Sequence, residues 1–76
     1  MKKKFMCTFP PELIQEPILY NVGKNFSVVP NIRAASVTDE VAILGLELEG
    51  EDAEIERAAV YLREKGVKVE EVVAGS

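Results

Sequence analysis

The chain has 76 residues, 47% hydrophobic, with a net charge of −4, a single cysteine and no histidine. That length allows one domain, here expected to span residues 1–76 with a core over 2–73 and a tail over 74–76. A chain so short buries only about 60% of its unfolded surface, which favours association with a second copy. The acidic balance speaks against nucleic acid, the lone Cys7 against a disulfide framework, and the missing histidine against the commonest general base and metal ligand.

Lys2 to Phe9 alternates weakly and predicts a first strand, ended by Pro10-Pro11, since proline cannot donate to a sheet ladder. The run Lys2-Lys3-Lys4 is read as a solvated strand start. No hydrophobic segment follows it that would make a leader, and no run of about 18 apolar residues would cross a bilayer, so the expected location is the cytoplasm. From Glu12 to Phe26 the apolar residues Ile18, Leu19, Val22 and Phe26 lie on one helical stripe. Pro17 suits the first turn of that helix, which leaves Glu12-Leu13-Ile14 as a turn or a short preceding helix.

Val28 to Val37 and Val41 to Glu49 read as the two strands of a hairpin around Thr38-Asp39-Glu40. Alternation puts Ala42, Leu44, Leu46 and Leu48 on one face and Val41, Ile43 and Gly45 on the other, before Glu47 and Glu49 make it polar. In the first hairpin strand, unbroken alternation groups Asn31, Arg33, Ala35 and Val37 against Val28, Ile32, Ala34 and Ser36. A second helix follows. Glu51 or Asp52 is expected to cap it, acidic residues crowd its first turns, Ile55, Ala58, Ala59 and Leu62 form its buried stripe, and Gly66 ends it. Val67 to Val73 is the last strand.

The order β-α-β-β-α-β predicts an α+β, ferredoxin-like fold: a four-stranded antiparallel sheet with two helices on one face. The other sheet face is left open. Its apolar half, over a chain this small, points to a partner or a ligand, and a homodimer is expected.

The residues supply little chemistry. Cys7 without a basic partner reads as a small buried hydrophobe, and one soft ligand makes no metal site, so no metal and no cofactor are expected. The carboxylates from Glu47 to Glu54 read as a solvated face. The strand between Gly45 and Gly50, and Glu51 after them, rule out a phosphate loop. Acid–base catalysis has no candidate pair, and the chain is not expected to be an enzyme. What remains is Asn31, whose amide both donates and accepts and can hold an amino acid's carboxylate or ammonium; an amide capping backbone at a strand edge is the plainer alternative.

Asn31-Ile32, Ala34, Gly45-Leu46-Glu47-Leu48-Glu49-Gly50, Tyr61-Leu62 and Val67-Lys68-Val69-Glu70, in that order, resemble the NIL domain. The resemblance covers nearly the whole chain and departs at Arg33, where the signature carries an apolar residue. It implies an ACT-like regulatory domain of methionine importer ATPases, here free-standing or a piece of something longer. Such a domain pairs as a homodimer and binds methionine near the signature asparagine. The implied site comprises Asn31, Ile32, Arg33, Val29 and Ile43. The implied partners are a second copy, a small amino-acid ligand and a transporter or redox protein, with neither nucleic acid nor membrane insertion. A dimerisation or docking module without a ligand is the alternative function.

Overall fold

The computed structural model describes residues 1–73; the expected tail over 74–76 lies outside them. The elements are β1 (Lys2–Phe9), α1 (Pro11–Ile14), α2 (Ile18–Asn25), β2 (Val28–Val37), β3 (Ala42–Gly50), α3 (Asp52–Lys65) and β4 (Lys68–Val72). The sheet order is β2-β3-β1-β4 and every neighbouring pair is antiparallel. The expected α+β architecture is therefore present, with a third helix in the single turn α1. Pro17 stands at the N-cap of α2 rather than inside it and keeps the two helices apart.

One face of the sheet carries the core. Phe5, Cys7 and Phe9 of β1 lie opposite Leu46, Leu44 and Ala42 of β3. Ile18 and Val22 of α2 and Ile55, Ala58, Ala59 and Leu62 of α3 close over them in one buried cluster. Leu46 is 1% exposed, so β3 has the expected strand parity. Cys7 is fully buried within this cluster. Burial pushes its thiol up to about 11, the charge of Arg63 offsetting only part of that.

Polar contacts fix the element ends. Glu51 takes the N-cap position of α3 through its backbone alone and makes no side-chain cap bond, its side chain being longer than those that suit the position. Asp52 instead meets Lys3 of β1 at 2.8 Å, and Glu56 meets the same ammonium at 3.3 Å. Those hydrogen bonds, to Asp52 first, raise the Lys3 pKa. Glu54 accepts the Ser27 N–H at 3.1 Å and the Arg57 guanidinium at 2.7 Å, both of which lower its pKa. Gly66 ends the helix at φ 107°, and the Val67 N–H closes on the Leu62 carbonyl at 3.0 Å. Thr38 closes the hairpin: its Oγ1 accepts the N–H groups of Glu40 and Val41 at 3.3 and 3.2 Å.

The parity expected for β2 is overturned beyond Ile32. The register steps from Ile32 opposite Leu46 to Ala34 opposite Gly45, so Arg33 is an extra, bulged residue. A bulge reverses the alternation after it. Ala34 and Ser36, opposite Gly45 and Ile43, now share the open face with Asn31, while Ala35 and Val37 join the helix side. Gly45 suits the bulge, since it brings no side chain against Ala34.

Candidate functional site

The face of the sheet away from the helices carries the polar chemistry. Its cross-strand rows follow from the register. Val29, Glu49 and Lys2 make one row; Asn31, Glu47, Lys4 and Val72 the next; Ala34, Gly45, Met6 and Glu70 the third; Ser36, Ile43, Thr8 and Lys68 the last. The missing side chain of Gly45 leaves a hollow of about 100 Å³, walled by Met6, Val72, Lys4 and the bulged Arg33 over the backbone around Phe5 and Leu46. A small apolar depression with two cations on its rim lies one row from Asn31.

Glu47 stands between Asn31 and Lys4 in its row. It is 8% exposed, the one buried charged residue among those described. Its side chain makes no hydrogen bond or ion pair with another described residue, although Lys4 is directly opposite. No sealed side-chain polar atom lacks a partner, so the Glu47 oxygens remain within reach of solvent. A carboxylate whose stem is buried and whose oxygens alone reach the surface, with no cation on it, is placed to accept one from outside.

The five residues expected at a ligand site are not gathered in one place. Asn31 and Arg33 share the open face, two positions apart across the bulge. Val29 and Ile43 are on that face too, but their rows are separated by six positions of β3, about 20 Å, and one small molecule cannot touch both in a single copy. Ile32 pairs with core-facing Leu46 and looks to the helix side at the sheet edge, half exposed. Sequence reasoning missed Glu47, Lys4, Met6, Gly45 and Val72. Glu47 lies in a charge run of the sequence, and the rest become neighbours only through strand pairing.

A larger apolar cavity of about 260 Å³ lies at the far end of the helix layer, between the α1–α2 corner and the hairpin, lined by Phe9, Leu13, Ile14, Leu19, Val37 and Leu44 among others. It has apolar volume without a cluster of convergent polar groups, and recognition needs both. Among the described residues no group of three or more His, Cys, Asp or Glu side chains is placed to hold a metal. Nor is any of the described helices long and apolar enough to cross a membrane.

Residues 7–71 match the family model of the NIL domain. The chain belongs to the NIL domain family. Two curated proteins align with this NIL domain. The methionine import ATP-binding protein MetN 1 of Bacillus licheniformis is 33% identical over 76 aligned residues, covering 95% of this chain. Its namesake in Listeria innocua serovar 6a is 39% identical over 61 residues, covering 75% of this chain. The chain spans only 23% and 18% of the lengths of these relatives. Among solved structures, the C-terminal domain of an ABC transporter ATP-binding protein from Enterococcus faecalis superposes with a TM-score of 0.82. The match covers 95% of this chain and 84% of that one at 22% identity, a likeness of fold. Asn31, where the sequence resemblance puts the signature asparagine, lies on the open face of the sheet.

Proposed function

We propose that this NIL domain is a regulatory module that binds a free amino acid, methionine among the candidates, and acts as a homodimer attached to or docked on a transporter ATPase at the cytoplasmic side of the membrane. The observation that carries the reading is the joint placement of the Asn31 amide and the Arg33 guanidinium on an exposed sheet face, beside an apolar hollow. An amide, a cation and an apolar seat are what an α-amino acid requires. Arg33, where the family has an apolar residue, can take the carboxylate. The domain does no catalysis on this reading: there is no histidine, and the Cys7 thiol, fully buried and raised to about 11, is held as the unreactive thiol.

The homodimer fits the β2 edge better than the open face. Lys2, Lys4, Glu49, Lys68 and Glu70 on that face oppose an apolar seam between two copies. The β2 strand is ten residues long, has no strand on its outer side among the described residues, and exposes Val29, Ile32 and Val37. The segment of this edge beyond the bulge, Ala34 to Val37, is a template for pairing with another strand, whereas Pro30 and the bulge blunt the rest. Pairing there keeps Asn31 and Arg33 close to the seam and leaves the hollow open. The same edge favours a second reading, a dimerisation module without a ligand. A thermal-shift screen against the free amino acids separates the two. A ligand at about 100 times its Kd stabilises the domain by about 2.7 kcal/mol and raises Tm. A dimerisation module shows no shift with any of them.

A further inference from the structure

We propose that Glu47 is the ammonium-binding residue of the site, with the ligand's carboxylate held by Arg33 and Lys4 and its side chain seated in the hollow over Gly45. This rests on the reading of the domain as an amino-acid sensor and assigns the polar end that Asn31 alone leaves open. The first observation is electrostatic. Glu47 is more than nine-tenths buried, unpaired, and faces the open side of the sheet with its oxygens still reachable. Its sheet neighbours are an amide on one side and a lysine on the other. An arriving ammonium gives the carboxylate a charge-assisted partner that no described residue provides.

The second observation is geometric and independent of the first. Gly45 lies two positions from Glu47 on the same face, about 7 Å along β3, and its hollow is walled by Met6 and Val72 and rimmed by Arg33 and Lys4. An anion-accepting rim, a cation-accepting carboxylate and an apolar seat thus occur within two adjacent rows, the reach of a zwitterion with an unbranched apolar side chain. The chemistry selects a free amino acid over a peptide or an N-acylated one, because acylation removes the charge that Glu47 meets.

The test is calorimetry on the folded domain with four probes: L-methionine, N-acetyl-L-methionine, 4-(methylthio)butanoate, which lacks the amine, and 3-(methylthio)propylamine, which lacks the carboxylate. Wild type should bind methionine best, the amine more weakly, and the N-acetyl compound no better than the des-amino acid. Glu47→Gln should lower affinity for methionine and the amine by roughly tenfold or more and leave the des-amino acid unchanged. Gly45→Ala should weaken methionine while the domain stays folded, since the added Cβ meets nothing closer than Ala34 Cβ at 3.6 Å. Methionine bound equally by wild type and Glu47→Gln, or N-acetylmethionine bound as well as methionine, overturns the assignment and leaves the sensor reading standing. Heat from the amine but from no amino acid, lost in Glu47→Gln, sustains the Glu47 cation site and removes the sensor reading. No heat from any probe overturns both.

Discussion

Asn31 and Arg33 share one surface by the ordinary alternation of β2, and the bulge at Arg33 turns over only the residues that follow it. Asn31→Ala should therefore lower amino-acid affinity while leaving the sedimentation behaviour unchanged, because its side chain is exposed and supports no core contact. Arg33→Leu puts there the apolar residue that the sequence resemblance leads one to expect and should shift selectivity toward methionine over polar amino acids in a competition titration. Glu54 makes a separate, pH-dependent contribution. Its bonds to the Ser27 N–H and to Arg57 hold its pKa below the ordinary 4.5, so the folded state binds that proton less readily than the unfolded chain does. The stabilisation is complete above the ordinary carboxylate range and is lost as pH falls through the depressed folded value. Tm recorded from neutral to acid pH should fall more steeply for wild type than for Glu54→Gln; identical slopes would show that the Ser27 contact carries no linkage.

At the scale of elements, most of the fold was legible because it rests on short-range pattern. The β3 alternation of Ala42, Leu44, Leu46 and Leu48 located the core face, and the stripe Ile55, Ala58, Ala59, Leu62 located the buried side of α3. What was not legible depends on pairing between strands. No local feature of Ile32-Arg33-Ala34 announces a bulge, so alternation carried past it put Ala35 and Val37 on the wrong face. The burial of Glu47 is likewise set by what β1 and β2 bring beside it, and Lys3 finds Asp52 and Glu56 only once β1 lies next to α3. Two glycines of β3 separate these levels. A Cβ on Gly50 would stand 2.6 Å from the Ser27 carbonyl oxygen, backbone that cannot swing aside. Gly50→Ala should cost about 1–3 kcal/mol in denaturant unfolding, whereas Gly45→Ala should be neutral or stabilise by up to ~1 kcal/mol. Equal effects at the two positions would contradict the packing described for the hairpin.

The described residues form a thin layer of helices on a sheet whose other side they leave uncovered, and at this size each buried contact is a large share of the stability. Pairing two copies along β2 extends the sheet without covering the open face, which makes association and ligand binding separable. Sedimentation across a concentration series should show a dimer that Val37→Lys weakens, since a lysine on an exposed edge discourages strand pairing. A monomer at high micromolar concentration would count against that arrangement. The central claim, a domain that senses a free amino acid through the face bearing Asn31, is tested most directly by titrating the wild-type protein with methionine and then with the other amino acids in a calorimeter. The expected result is a saturable heat with at least one of them, reduced in Asn31→Ala. No heat with any amino acid at millimolar concentration would contradict it and leave a module that only associates.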